Sequence, residues 1–157
     1  MTLDGLNDDF RDLLVVFADA GVEFVIVGAY ALAFHGAPRA SGDIDLFVRP
    51  ALENAQRVFD ALARFGAPLE AAGMTAPDFA APGAVYQIGL PPRRIDILTT
   101  ISGVTFDEAW ASRLTGEVEG RTVSFIGREA LLKNKLSTGR FKDIADAARL
   151  RQPKPER

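Results

Sequence analysis

Hydrophobic residues recur along this chain with two different periods, and the order of those periods predicts the architecture. From Leu6 to Gly21 the apolar residues fall at helical spacing. Asn7, Asp8 and Asp9 enrich the first turn in capping and acidic residues, and Gly21 is placed to end the helix. Short runs of β-branched and aromatic residues predict strands at FVIVG, DIDLFV, AVYQIGL, RRIDILTT, GEVEG and RTVSFIG. The other periodic segments predict helices at AYALAFHG, ALENAQRVFDALARFG, FDEAWASRL, REALLKNKLSTG and FKDIADAARL. This order predicts an α/β (α+β) fold, with a mixed β-sheet flanked by helices.

Some connections are also predictable. The two strands on either side of Pro91 and Pro92 are expected to form a hairpin or a sharp connection, and the stretch 67–83, rich in Pro, Gly and Ala, is expected to be irregular. The chain has 157 residues, the size of one domain. We expect residues 1–150 to form that single domain and residues 151–157 to be a flexible tail.

Composition limits the cellular setting. No apolar run approaches the ~20 residues that cross a bilayer, and the acidic N-terminus lacks the layout of a signal peptide. The chain has no cysteine, which excludes disulfides, thiolate zinc sites and cysteine nucleophiles. We therefore expect a cytoplasmic protein with no membrane partner.

Charge is distributed unevenly. Residues 1–120 hold 8 Arg, no Lys and 17 Asp or Glu, whereas residues 121–157 hold 10 Lys or Arg and 4 Asp or Glu. Such a split suggests that the C-terminal segment contacts anions, either phosphate or nucleic acid, although a solvated helix face would look the same. The overall acidity argues against tight, non-specific binding to duplex nucleic acid.

Three aspartates lie on strands that are otherwise apolar. Side chains alternate across a strand, so Asp43 and Asp45 share a face, and Asp96 lies opposite its apolar neighbours. Clustered, partly buried carboxylates are costly unless a cation neutralises them, and an all-oxygen donor set favours Mg²⁺ or Mn²⁺ over Zn²⁺. The structural alternative is an ion pair with one of the nearby arginines, Arg39, Arg93 or Arg94.

A strand that ends in Gly28 and leads directly into a helix precedes the aspartates. Helix N-termini present unpaired N–H groups that suit phosphate, and glycine permits close approach of the backbone. The same arrangement also serves as a tight packing turn, so by itself it does not identify a ligand. Joined to the aspartate pair, it predicts a combined phosphate and metal site.

Taken together, these motifs resemble the DNA polymerase beta-type nucleotidyltransferase superfamily, in particular its minimal bacterial members related to AbiEii-type toxins. The resemblance runs from about Phe24 to Leu150. Its matching positions are Gly28, Ala29, His35, Gly36, Arg39, Ser41, Asp43, Asp45 and Asp96, followed by Lys135, Arg140, Lys142, Asp143 and Asp146. Ala29 departs from the pattern, since the family has Gly or Ser there and alanine offers a phosphate only its backbone N–H.

The resemblance implies a polymerase beta-like palm fold and a Mg²⁺-dependent transfer of a nucleoside monophosphate from a nucleoside triphosphate to an acceptor hydroxyl. Asp43 and Asp45 would bind the ion that grips the triphosphate, and Asp96 would join them on a second ion and accept the hydroxyl proton. Phosphate contacts would come from Lys135, Arg140, Gly28, Ala29, Arg39 and Ser41. RNA would be the acceptor of a toxin-like enzyme, with an antitoxin-type protein as a possible partner.

Two other functions remain open at this stage. One is a catalytically weak or inactive member of a toxin–antitoxin system that binds nucleotide or a partner, which Ala29 favours. The other is an aminoglycoside-type small-molecule nucleotidyltransferase, which the acidity of residues 1–120 favours. His35, the only histidine, is expected to be structural, and Lys142 is a candidate partner for Asp143. Trp110 is expected in the core, with a rim position near the nucleotide as the alternative.

Overall fold

The computed structural model describes residues 6–38 and 42–152, and its helices and strands follow the predicted order. The strands are β1 (Phe24–Val27), β2 (Ile44–Val48), β3 (Val85–Ile88), β4 (Ile95–Leu98), β5 (Leu114–Val118) and β6 (Arg121–Phe125). The helices are α1 (Asp8–Asp19), α2 (Gly28–Phe34), α3 (Leu52–Phe65), α4 (Phe106–Ala111), α5 (Arg128–Thr138) and α6 (Phe141–Leu150). None of the helices in these two ranges is long and apolar enough to cross a membrane.

The strands form one mixed sheet in the order β3-β4-β2-β1-β6-β5. β1 is antiparallel to β2 and parallel to β6, and β2 is parallel to β4. The β3–β4 and β5–β6 pairs are antiparallel, which confirms the predicted hairpin at the two prolines. In this register Asp45 lies opposite Asp96 on the neighbouring strand. The mixed sheet with flanking helices confirms the predicted fold class.

The period-two alternation divides the core between the two faces of the sheet. One face presents Ile26, Ile44, Leu46 and Ile97 to the apolar sides of α1 and α3. The other face presents Val25, Val27 and Phe47 to a second cluster built from α2, α4, α5 and α6. Because Asp45 has the parity of Phe47, its carboxylate belongs to this second face, where the helices leave a cavity.

Several local predictions are confirmed and others need correction. Asn7 caps α1, and Gly66 ends α3 in the left-handed conformation. The predicted helix FDEAWASRL is too long, because α4 ends at Ala111 and Leu114 already begins β5. The stretch predicted to be irregular contains a 3₁₀ helix at Ala76–Ala80. The predicted tail lies mostly outside the described residues.

Candidate functional site

A cavity of about 390 Å³ opens on the second face of the sheet, where β1, β2 and β4 meet α5 and α6. Gly28 and Asp45 form its wall on the sheet side, and Lys135, Arg140 and Asp143 form its wall on the helix side. Its volume lies within the range of roughly 300–1,000 Å³ typical of small-molecule sites. The predicted glycine turn, one of the predicted aspartates and two of the three predicted phosphate-binding cations, Lys135 and Arg140, therefore share one concave surface.

Gly28 and Asp45 are in close contact, and this contact explains the glycine. The backbone of Gly28 has φ +67°, a conformation that disfavours every residue with a β-carbon. A β-carbon built on Gly28 would overlap the Oδ2 atom of Asp45. Glycine is thus required both by the turn and by the carboxylate packed against it.

Asp45 and Asp96 form a pair of adjacent carboxyl groups. A hydrogen bond joins their side chains, and Asp96 is only 8% exposed. Burial, the charge and hydrogen bond of Asp96, and the charge of Asp43 together raise the pKa of Asp45 to about 6, against the opposing charge of Lys135. Two carboxyl groups held this closely share a proton or require a cation.

Arg94 supplies part of that positive charge. Its Nε and Nη2 atoms donate to the two carboxylate oxygens of Asp96 at 2.8 and 3.2 Å, and its Nη2 lies 3.6 Å from Oδ2 of Asp43. The backbone N–H of Arg94 also donates to Oδ1 of Asp43 at 3.0 Å. Arg94, one of the three arginines considered from the sequence, therefore forms an ion pair with Asp43 and Asp96. We call Asp43, Asp45 and Asp96 the aspartate cluster.

On the helix side, four charged residues of α5 and α6 form what we call the lysine cluster: Lys135, Arg140, Asp143 and Asp146. Lys135 is 6% exposed, and its Nζ lies 3.2 Å from Oδ1 of Asp143 and 3.3 Å from Oδ2 of Asp146. Arg140 Nε donates to Oδ2 of Asp143 at 2.7 Å. An ammonium group has three donors, so two ion pairs leave Lys135 one N–H for the cavity.

Asp143 is held as a carboxylate. Burial alone would raise its pKa, but hydrogen bonds from Thr138 and Arg140 and the charge and hydrogen bond of Lys135 lower the pKa to about 2. The predicted local pair between Lys142 and Asp143 is therefore wrong: the oxygens of Asp143 are taken by Lys135, Thr138 and Arg140, which reach it from the end of α5 and the start of α6.

The structure brings most, but not all, of the predicted residues together. Gly28, Asp45, Lys135 and Arg140 line the cavity, and Asp96 lies beside Asp45. Ala29 is 7% exposed and packs into the core, so its side chain does not line the cavity. The predicted residues Arg39 and Ser41 lie outside the described residues, so their roles stay predictions.

Two contributors were not among the predicted site residues. Arg94 stands two positions before Asp96, and residues at that spacing on an extended chain share a face, so the alternation rule could have paired them. Asn134 lines the cavity, and its Nδ2 donates to the carbonyl of Ser102 at 2.9 Å. No sequence pattern indicates this second contact, because it joins α5 to a distant loop.

His35 has the structural role expected of it, whereas Trp110 lies at the edge of the core and not within it. Nε2 of His35 hydrogen-bonds the carbonyl of Ile126 at 2.8 Å in a buried environment, which is a structural role. Trp110 is half-buried, stacks on Phe106 and packs against the second apolar cluster.

The donor chemistry partly fits a divalent metal. Asp45 and Asp96 offer adjacent oxygens of the kind that Mg²⁺ and Mn²⁺ prefer, while Asp43 turns toward Arg94. Within residues 6–38 and 42–152, no three His, Cys, Asp or Glu side chains are arranged to hold a metal ion. Two carboxylates are thus in place, and the third would join them only after Arg94 releases it.

Comparisons with known proteins identify the fold. No protein-family model and no curated protein matches the sequence. Among solved structures, the chain is similar to a protein of Thermotoga maritima provisionally assigned as a nucleotidyltransferase, with 15% identity, TM-score 0.58 and coverage of 87% of this chain and 86% of that one. It is similar to the antibiotic-resistance factor ANT(2'')-Ia, with 15% identity, TM-score 0.57 and coverage of 90% and 80%. It also resembles the lincosamide antibiotic adenylyltransferase LnuA, with 12% identity, TM-score 0.52 and coverage of 93% and 96%.

These relatives extend over most of the chain, so the similarity concerns the whole sheet and its helices. The chain has the nucleotidyltransferase fold that the sequence predicts. At such low identity the similarity establishes the fold, and the function has to be argued from the site.

Proposed function

We propose that this protein is a metal-dependent nucleotidyltransferase that moves a nucleoside monophosphate from a nucleoside triphosphate to an acceptor hydroxyl. The observation that carries this proposal is the pairing of Asp45 with Asp96, side by side on parallel strands, at a cavity shared with Gly28 and Lys135. Carboxylates on one wall and an ammonium on the other are what a metal-bound polyphosphate requires.

Each part of the cavity has a role in this proposal. Asp45 and Asp96, joined by Asp43, would hold Mg²⁺ or Mn²⁺, which when bound neutralises phosphate charge and orients the reacting oxygens. The remaining N–H of Lys135 and the guanidinium of Arg140 would donate to phosphate oxygens. Gly28 lets the backbone approach the ligand closely where a side chain would already collide with Asp45.

The acceptor is best sought first among small molecules. LnuA is described with bound lincomycin, and ANT(2'')-Ia in complex with adenylyl-2''-tobramycin, so both of these structural relatives are associated with antibiotics. The RNA acceptor, the toxin role and the antitoxin-type partner suggested by the AbiEii resemblance gain no support from the comparisons. They therefore enter the experiment as separate outcomes.

The decisive experiment is a transfer assay with labelled nucleoside triphosphates. Wild-type protein is incubated with Mg²⁺ or Mn²⁺ and either total RNA or a panel of aminoglycosides and lincosamides, and Asp45→Asn is the inactive control. We expect label on an acceptor with the wild type only, and no label in EDTA. Label on RNA alone would favour the toxin-like enzyme, and the absence of label on any acceptor, protein included, would refute the transferase proposal.

Arg94 favours a second candidate, a protein that binds nucleotide without transferring it. In the described structure Arg94 pairs with Asp43 and Asp96, two of the three aspartates, where a metal would otherwise be held. If this pairing is permanent, nucleotide binding will be insensitive to EDTA, and the wild-type protein will show no Mn²⁺ binding without nucleotide. If metal displaces Arg94, Arg94→Gln will tighten Mn²⁺ binding in a titration without nucleotide.

A further inference from the structure

A second cavity, of about 430 Å³, adjoins the candidate site. Thr100 and Ile101 line both cavities, so only the thickness of this loop separates them. The floor of the second cavity is formed by Phe47 and Phe106, which are 1% and 5% exposed and contact each other edge to face at 5.2 Å. Its rim includes Pro50, which is exposed.

The described lining of the second cavity is uncharged. None of the lining residues in the part of the chain that the structure describes is Asp, Glu, Lys, Arg or His. The charged side chains nearest to them along the chain form ion pairs: Arg49 with Glu23 and Asp107, and Glu108 with Lys133. A ligand group that enters this cavity therefore meets apolar surface and neutral hydroxyls along its described wall.

The hydroxyl groups of its wall are also largely committed. Thr99 is 3% exposed, and its Oγ1 donates to the carbonyl of Ala81 at 2.6 Å. Thr105 Oγ1 accepts from the backbone N–H of Glu108 as the cap of α4. Binding in this cavity thus depends on burying apolar surface rather than on new hydrogen bonds.

The two adjoining cavities together match a ligand with two unlike ends. The first combines carboxylates with cations, as a metal-bound phosphate chain requires, and the second takes a neutral, apolar group. A nucleoside triphosphate has this polarity, with a polyanionic chain at one end and a flat uncharged base at the other. We propose that the second cavity is the nucleobase subsite, an inference that rests on the proposed function.

Trp110 makes the proposal directly measurable. It is the only tryptophan in the chain, and its ring stacks on Phe106 with centroids 5.6 Å apart and planes 25° apart. A base that enters the cavity contacts the loop and ring system on which Trp110 lies, so we expect nucleoside triphosphate to change its fluorescence. Tripolyphosphate, which has the phosphate chain and no base, is expected to bind in Mn²⁺ without that change.

The variant that tests the apolar contact is Val104→Ala, because Val104 lines the second cavity and is not among the residues that line the first. Leu90→Ala is the matched control, because Leu90 is 81% exposed and lines neither cavity. Each methylene-sized group lost from contact with the base is expected to weaken nucleoside triphosphate binding roughly 4-fold. Tripolyphosphate affinity is expected to stay unchanged in both variants, which also shows that Val104→Ala is folded.

The outcomes separate the subsite from the proposed function. If tripolyphosphate fails to bind in Mn²⁺, the proposed function itself is wrong. If tripolyphosphate binds as tightly as nucleoside triphosphates do, and neither ligand changes the fluorescence of Trp110, only the subsite proposal is wrong. A fluorescence response to an antibiotic acceptor, with nucleotide affinity unchanged in Val104→Ala, would assign the cavity to the acceptor and overturn the nucleobase proposal.

Discussion

Asp45→Asn should make the metal-free protein more stable at neutral pH, although it removes a residue central to the proposed function. The side chain of Asp45 is enclosed by Gly28 and Asp96 and carries a raised pKa of about 6. At pH 7.5 it is ionised beside another carboxylate, an arrangement that opposes folding. Asparagine keeps the size and can donate an amide hydrogen to Asp96 without adding charge.

The magnitude and its pH dependence follow from proton linkage. The folded protein holds a proton on Asp45 up to pH about 6, whereas the unfolded chain releases it near the ordinary aspartate pKa of 3.8. Because the native state binds more protons in this window, stability falls as pH rises from about 4 to about 6 and is level above it. A pKa rise from 3.8 to about 6 corresponds to at most about 3 kcal/mol. Asp45→Asn should recover part of this at pH 7.5 and almost none at pH 4.

Urea unfolding in EDTA, followed by the fluorescence of Trp110, measures both quantities at pH 4, 5.5 and 7.5. The matched control is Asp60→Asn, an exposed carboxylate on α3 that hydrogen-bonds Gln56. We expect the control to change the free energy of unfolding little at any pH. A loss of stability in Asp45→Asn at pH 7.5, or a gain that does not depend on pH, would show that repulsion from Asp96 does not govern this site.

Two further substitutions test the walls of the cavity. Gly28→Ala and Gly83→Ala both place a β-carbon on a backbone with positive φ, which costs roughly 1–2 kcal/mol. Because only the β-carbon at position 28 also collides with Asp45, urea unfolding should show that Gly28→Ala is clearly less stable than its control Gly83→Ala. Equal losses of stability would contradict the contact between Gly28 and Asp45. Lys135→Met should cost roughly 3–5 kcal/mol, because it removes the buried ammonium that pairs with both Asp143 and Asp146. Lys133→Met, which breaks an exposed pair, should cost under about 1 kcal/mol in the same assay. Similar losses for both would show that the lysine cluster is not effectively buried.

The fold was largely predictable because local patterns and tertiary structure agree in this chain. Strand alternation, helical periodicity and the capping residues Asn7 and Gly66 act locally, and each is found where the sequence places it. The errors lie where two local tendencies compete, as after Ala111, where a helical pattern runs into a strand. The sheet order β3-β4-β2-β1-β6-β5 depends on long-range pairing and could not be obtained from such patterns.

The site was predictable in its residue types and less so in its contacts. Alternation places Asp45 and Asp96 on one face, but only the parallel register of β2 and β4 sets them side by side. Lys135 was expected to face phosphate as a free cation, and the structure instead surrounds it with Asp143 and Asp146. That arrangement depends on how α5 packs on α6, which the sequence does not specify.

The contacts on the two sides of the cavity differ, and the difference bears on the proposed metal. In the lysine cluster Lys135 and Arg140 pair with Asp143, and Lys135 also pairs with Asp146. In the aspartate cluster Arg94 pairs with Asp43 and Asp96, whereas the carboxyl group of Asp45 lies against that of Asp96. Protonation of Asp45 relieves the repulsion between these two carboxyl groups, as its raised pKa indicates. Under the proposed function a divalent cation would relieve the same repulsion without a proton, so the repulsion that destabilises the metal-free protein at neutral pH would contribute to the free energy of metal binding.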